Sequence, residues 1–257
     1  MSRARQLLVA LFAAPALALA AGDEVRLDRA PIDERDLTSL QRGARVYVNY
    51  CLGCHEASYM RYNRLEDLGL NAQQIRDNLI FTDAKVGDLM KNSMDSRDAK
   101  EWFGAVPPDL TVIARSRSSP AGSGADWLYT YLRSFYRDPA RPTGWNNVVY
   151  RDVGMPHVLW QLQGEQALRT EVIEIPLGGD EEEVLKREEQ KLVLAAPGSL
   201  TPVEYDRLVA DLVNFLSYMA EPAKRTRIEI GIYVLLFLGL LFVLAYALKK
   251  EYWKDVH

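Results

Sequence analysis

Both cysteines of this 257-residue chain fall within one pentapeptide, Cys51-Leu52-Gly53-Cys54-His55. Two thiols at this spacing can add to the two vinyl groups along one edge of a haem. A histidine directly after the second thiol can then present an imidazole nitrogen to the iron, so C-x-x-C-H is the attachment signature of a c-type haem. One covalently attached haem c is therefore the expected cofactor. Three rival chemistries fit less well. A dithiol redox pair shares the cysteine spacing but opens a helix after a strand, whereas the pattern before Cys51 is helical. A zinc site needs four ligands, and the further histidines are His157 and His257 alone. A disulfide across so short a loop is sterically poor and leaves His55 without a role. With both sulfurs bonded to haem, packing must hold the fold.

An electron-transfer haem has a second axial ligand. The candidates are Met60, Met90, Met94, Met155, Met219 and His157. Met60 is five residues past His55, too near to reach the other haem face. Met90 and Met94 flank a polar, turn-prone segment, and Met219 lies on an apolar stripe where methionine commonly fills core. Met155 sits in Val153-Gly154-Met155-Pro156-His157, between a glycine that allows close approach and a proline that stiffens the backbone. The residues favour Met155 and keep His157 as the competitor. Met/His ligation raises the reduction potential, so the choice matters for function.

Several elements must carry these groups. Leu37, Leu40, Ala44, Tyr47, Val48 and Cys51 follow helical spacing, so a helix leads into the first cysteine. Asn71 with Gln74 forms a capping-box pattern for a short helix. Ser96 to Phe103 reads as another, ended by Gly104. A fourth starts at Asp126, buries Leu128, Tyr131, Leu132 and Phe135, and runs until Asp138-Pro139 stops it. Val172 to Leu177 and Lys191 to Leu194 read as short strands, with the exposed acidic segment DEEEVLKREEQ between them. Thr201-Pro202-Val203-Glu204 is a strong helix start, followed by an apolar stripe from Tyr205 to Met219. The class expected is mainly α: a c-type cytochrome domain with a small β insertion, plus one C-terminal transmembrane helix.

The two ends say where such a domain would live. MSRARQLLVALFAAPALALA has a basic start, an apolar middle from Leu7 to Leu19 and a small-residue cleavage pattern, the layout of a secretory signal peptide over 1–20. The apolar run of about 13 residues is too short to span roughly 30 Å of hydrocarbon. Near the other end, Ile228 to Leu248 carries only Glu229 as a charge. As a helix it rises about 31 Å, enough for one crossing, and Tyr246, Tyr252 and Trp253 suit a headgroup-level aromatic belt. Lys224, Arg225 and Arg227 before the span match Lys249, Lys250 and Lys254 after it, so flanking charge does not orient it. The signal peptide does. It sends 21–222 across the membrane as the haem domain, leaves 223–248 as tether and anchor, and keeps 249–257 in the cytoplasm.

Composition sets the outer bounds. Apolar residues are 48% and charged residues 26% of the chain, which excludes a disordered chain, a collagen and a polytopic membrane protein. Lys plus Arg number 31 against 35 Asp plus Glu. Removing Arg3 and Arg5 with the leader leaves 29 against 35, so −6. That balance argues against nucleic acid as a partner. Asp180 to Glu183 could steer a basic partner, although a solvated loop is the simpler reading.

The ordered motifs go further than covalent haem. Cys51-x-x-Cys54-His55 is followed by Pro107-Pro108-Asp109-Leu110, Arg115-x-Arg117, Gly154-Met155-Pro156, then Asn214-Phe215-Leu216, Ala220-Glu221-Pro222 and one C-terminal span. Over nearly the whole mature length this closely resembles the cytochrome c1 family, the haem subunits of quinol–cytochrome c oxidoreductases. The resemblance implies that His55 and Met155 ligate the iron, that Pro108 lines the haem pocket, and that Arg117 pairs with a haem propionate. A guanidinium can grip a carboxylate with two parallel hydrogen bonds. Ser116 to Ala125 looks longer than the family's usual turn.

The resemblance also implies a role. The chain would take single electrons from the Rieske iron–sulfur protein and pass them to a cytochrome c. Its partners would be cytochrome b and the Rieske protein in a dimeric complex of the bacterial inner membrane, with the haem domain in the periplasm. No catalysis is expected of the isolated chain. A membrane-anchored cytochrome of a terminal oxidase or another respiratory enzyme is the alternative, since haem motif and span fit both. A haem sensor or peroxidase would instead keep an open iron site.

Overall fold

The computed structural model describes residues 25–176 and 184–255. The leader 1–20, the acidic run Asp180 to Glu183 and His257 lie outside the described residues.

The first helix, α1 (Leu37–Val46), starts where the Asp36 carboxylate accepts a hydrogen bond from Ser39 N at 2.9 Å, an N-cap. It continues into a wider π-helical turn, Tyr47–Cys51, a distortion common beside functional residues. The chain then forms β1 (Ala57–Arg61) and a 3₁₀ turn, Tyr62–Leu68. Next comes α2 (Ala72–Leu79), opened by the Asn71/Gln74 capping box that its sequence predicts. β2 (Leu89–Met90) pairs antiparallel with β1. α3 (Ser96–Phe103) ends at Gly104 in the left-handed conformation, as its sequence predicts. The short α4 (Ile113–Ser116) precedes α5 (Gly124–Arg133).

Here one expectation is corrected. The spacing of Leu128, Tyr131, Leu132 and Phe135 predicts helix up to Asp138-Pro139, but α5 stops at Arg133. The Tyr131 carbonyl is taken by Asn147 Nδ2 at 2.8 Å and by Ser134 Oγ at 3.3 Å. Phe135 then opens β3 (Phe135–Arg137), which pairs antiparallel with β4 (Trp145–Asn147). Aromatic residues suit such a half-buried strand.

After α6 (Trp160–Gln163), β5 (Gly164–Pro176) and β6 (Val184–Pro197) form an antiparallel hairpin paired from Gly164↔Pro197 to Pro176↔Val184. The sequence predicts much shorter strands at Val172 to Leu177 and Lys191 to Leu194, with the exposed acidic segment DEEEVLKREEQ between them. The ladder is backbone-bonded and its described side chains are largely exposed, so no apolar alternation marks its length. α7 (Pro202–Ala220) starts with the predicted Thr201/Glu204 capping box and Pro202.

The core lies where α1 crosses α7. Leu40, Ala44, Tyr47, Val209, Leu212 and Phe215 are buried there. A Cβ on Gly43 would overlap the Asp211 carbonyl oxygen and sit 2.7 Å from Phe215 Cβ, so this approach requires glycine. The Arg42 guanidinium forks the Asp211 carboxylate at 2.6 and 2.8 Å across the same crossing. α5 joins α7 through Tyr205 Oη, which donates to Leu132 O at 2.8 Å, and through Arg133 to Asp206 at 2.7 Å.

The last helix, α8 (Lys224–Tyr252), contains the apolar stretch Thr226–Tyr252; its most apolar 18 residues have mean hydropathy 2.6 and none of them is buried against the chain. At about 1.5 Å per residue the whole stretch reaches about 40 Å, long enough to cross a bilayer. Among the described residues it is the one helix that is long and apolar enough to do so. Lys224 Nζ pairs with Glu34 at 3.0 Å and Arg227 with Glu221, tying the start of α8 to the domain base.

Candidate haem pocket

A cavity of about 260 Å³ opens where the π-helical turn after α1 meets α4, α5 and α7. Cys51, Cys54, His55, Pro108, Arg117 and Met155 all line it, and its walls are mostly apolar. Residues far apart in sequence therefore meet at one surface.

The pentapeptide is held as a tight turn. Cys54 N and His55 N both donate to Cys51 O, at 3.0 and 2.8 Å, while Asn92 Nδ2 binds Leu52 O at 3.0 Å. The two sulfurs are not joined in a disulfide; Cys51 is buried and Cys54 half-buried. Burial, with a smaller contribution from the neighbouring Cys54, pushes the Cys51 thiol up to about 12.

His55 is oriented from two sides. Tyr47 Oη donates to its carbonyl at 2.9 Å, and its ring Nδ1 lies 2.8 Å from Pro108 O. A carbonyl can only accept, so Nδ1 carries the proton and Nε2 keeps its lone pair. Burial lowers the imidazole pKa, outweighing the Pro108 hydrogen bond, so the ring is neutral and ligand-competent. Pro108 is itself fixed by its neighbours. Leu110 N donates to Glu56 O at 2.8 Å, and Asp109 accepts from Ser58 N at 2.7 Å and Thr111 N at 2.8 Å. The Pro-Pro-Asp-Leu segment is thus laced to the residues after His55.

Of the methionines, Met155 is on the cavity wall. Met60, Met90 and Met219 are buried in the core, and Met94 lies off the lining. A Cβ on Gly154 would stand 2.8 Å from Phe103 O, so glycine lets this loop close against the end of α3. The competitor His157 is buried away from the cavity lining, stacked on Phe135 at 4.8 Å and meeting Trp145 edge-on at 5.0 Å. Burial lowers its pKa to about 4, so it is a neutral aromatic in the packing.

Arg117 lies at the cavity edge with its guanidinium 4.6 Å from the Trp127 ring centre and 5.7 Å from that of Tyr150. Among the described residues it forms no ion pair, leaving its fork available to an acidic group in the cavity. Two thiols, an imidazole with a free Nε2, a thioether and a guanidinium around an apolar hollow are a donor set that fits a haem.

Sequence reasoning missed the residues that shape the Met155 loop. Asn147 is fully buried; its Oδ1 accepts from Val149 N at 2.9 Å and Tyr150 N at 3.2 Å. Asn146 Oδ1 accepts from Asp152 N at 2.8 Å, where Asp152 turns through a left-handed φ of 58°. The signal was an Asn-Asn pair directly after a tryptophan, polar residues where a buried segment would carry apolar ones. The helical spacing predicts Tyr131 as core, and Tyr131 is also a wall residue. Its hydroxyl donates to Met155 Sδ at 3.3 Å, and burial raises its pKa well above the ordinary phenol value.

Comparison with known proteins agrees in extent. The chain is 52% identical over 256 residues to cytochrome c1 of Allochromatium vinosum, covering 98% of this chain and 100% of that protein. It is 51% identical over 251 residues to a Nitrosomonas europaea protein named ammonia monooxygenase gamma subunit, covering 98% and 97%. Cytochrome c1 of Rhodobacter capsulatus is 28% identical, with 85% and 83% covered. The model of the cytochrome C1 family matches residues 28–167 and 198–256. The stretch between those segments is most of the β5–β6 hairpin, and both flanks that build the cavity are matched. The chain therefore belongs to the cytochrome C1 family.

Proposed function

We propose that this chain relays single electrons from the Rieske iron–sulfur protein to a cytochrome c, as the mono-haem subunit of a quinol–cytochrome c oxidoreductase. Family membership makes it a c-type cytochrome of electron transport, with one covalent haem c as its cofactor. The observation that carries the assignment of residues is the convergence of Cys51, Cys54, His55 and Met155 on one cavity.

Cys51 and Cys54 would hold the macrocycle edge through two thioether bonds. His55 would offer Nε2 and Met155 would offer Sδ to the iron. Pro108 fixes the imidazole through its carbonyl, and Arg117 would pair with a propionate. Bound there, the haem supplies a one-electron iron couple. The protein's part would be to supply His55 and Met155 as ligands and to wall the group with apolar side chains. α8 anchors the domain in a bacterial inner membrane. The signal peptide places the haem domain in the periplasm and the short tail in the cytoplasm, beside cytochrome b and the Rieske protein in a dimeric complex.

The test is the subunit composition of the gently solubilised complex. Cytochrome b and a two-iron cluster should co-purify with the chain, and reduced Rieske protein should reduce its haem faster than turnover. Co-purification with terminal oxidase subunits would overturn the relay. So would association with an ammonia-oxidising enzyme, the activity in the name of the Nitrosomonas relative.

A further inference from the structure

The hydroxyl of Tyr131 and the sulfur of Met155 meet at 3.3 Å, and each comes from a separately anchored element. On the tyrosine side, the ring stacks on Trp127 with centroids 4.7 Å apart and planes 13° apart, and meets Phe135 edge-on at 5.1 Å. On the methionine side, Gly154 closes against Phe103 O and Asp152 N is held by Asn146. A buried phenol ordinarily finds an oxygen acceptor. Here, among the described residues, the hydroxyl is aimed at a thioether, a weak acceptor.

We propose that Tyr131 is a positioning residue for Met155: its O–H engages one sulfur lone pair, leaves the other for the iron, and raises the reduction potential of the site. This rests on Met155 being the axial ligand, as proposed above. A thioether sulfur has two lone pairs, so one donor hydrogen bond and one metal bond together fix its orientation. The hydrogen bond draws electron density from the sulfur. The ferric state, with the larger positive charge, depends more on that density than the ferrous state does. The reduced form is therefore favoured.

The experiment uses the full-length holoprotein in its solubilised membrane complex, with Tyr131→Phe, which keeps the ring and its stacking. Covalent haem content should be unchanged. Against a fixed redox buffer, the reduced-to-oxidised ratio should fall about threefold to tenfold, the scale of one hydrogen bond; tenfold is about 59 mV for a one-electron couple. The far-red sulfur-to-iron band should persist at a shifted wavelength. An unchanged ratio with an unshifted band would overturn the proposal. Tyr131→Phe is also placed in a Met155→His background, where no sulfur remains to accept the bond. There the change should vanish; an equal change in both backgrounds would mark a general solvation effect and overturn the proposal. Met155→Leu separates the two ideas: survival of the far-red band in that variant would remove the ligand assignment itself, and this proposal with it.

Discussion

Asn147 Nδ2 donates to the carbonyl oxygen of Tyr131 at 2.8 Å, joining the strand that leads into the Met155 loop to the helix that carries Tyr131. The same side chain accepts from Ser134 Oγ at 3.2 Å and from the backbone of Val149 and Tyr150. One buried amide thus ends α5, starts the β3–β4 pairing and shapes the approach to the cavity.

Asn147→Ala would take the shared acceptor from Val149 N and Tyr150 N and leave the Tyr131 carbonyl to Ser134 alone. Each group that loses its partner costs about 1–3 kcal/mol, but relaxation of the loop will recover some of that. A net loss of about 3 kcal/mol is expected in denaturant unfolding of the holoprotein. Faster carbon monoxide binding to the reduced form should accompany it, because the methionine loop is less firmly held. A loss below about 1 kcal/mol with unchanged carbon monoxide kinetics would show that the network is ornamental.

Gly43 presents a contest between two effects of opposite sign. Alanine is the better helix former by about 1 kcal/mol, so on propensity alone Gly43→Ala would stabilise. The added Cβ, however, would overlap Asp211 O and press Phe215 Cβ. Overpacking of a rigid crossing costs about 1–3 kcal/mol, and here the neighbour is backbone, which yields poorly. A lower melting temperature is expected. A higher one would show that α1 and α7 can separate freely.

What the sequence made legible was whatever chemistry or local geometry dictates by itself. Cys51, Cys54 and His55 stand out because thioether attachment demands that spacing. The capping pairs Asn71/Gln74 and Thr201/Glu204 stand out because each cap is complete within four residues. Met155 was distinguishable from other methionines by its Gly and Pro neighbours, which constrain a loop. The misread elements were decided by distant partners. Phe135 has helical spacing, yet Asn147, many residues later, takes the carbonyl that would continue the helix. The hairpin outruns its prediction because backbone pairing needs no apolar alternation. Tyr131 and Asn147 look locally like a core aromatic and a turn amide; only the fold brings one to a sulfur and buries the other.

Asp109 gives a pH signature to the segment that positions His55. Burial pushes its carboxyl up, but hydrogen bonds from Thr111 and Ser58 outweigh that and hold it below the ordinary value of 3.8. A folded-state pKa below the unfolded one means that the unfolded chain binds the proton more readily in that window. The carboxylate's contribution is therefore full above 3.8 and is lost as pH falls through the lower folded-state value. Asp109→Asn lacks this titration. The stability gap between wild type and variant should narrow as pH falls below 3.8. Parallel unfolding curves across that range would remove Asp109 from the account.

The covalent bond itself is tested by the double variant Cys51→Ala, Cys54→Ala. Its denatured polypeptide should run colourless on a gel and give no pyridine haemochrome spectrum, while either single variant should retain one thioether. The consequence for the fold can be estimated. In a chain that cannot retain haem, the cavity of about 260 Å³ stays unfilled. Its apolar walls then face water instead of the macrocycle, at about 25 cal/mol per Å² of apolar surface, a loss on the order of several kcal/mol. Domains of this kind are stable by only about 5–15 kcal/mol in total. The double variant should therefore be largely unfolded or degraded, its near-ultraviolet dichroism lost along with its colour. If it instead melts within a few degrees of the holoprotein, the pocket is stable without its contents. The convergence of Cys51, Cys54, His55 and Met155 would then need another cause.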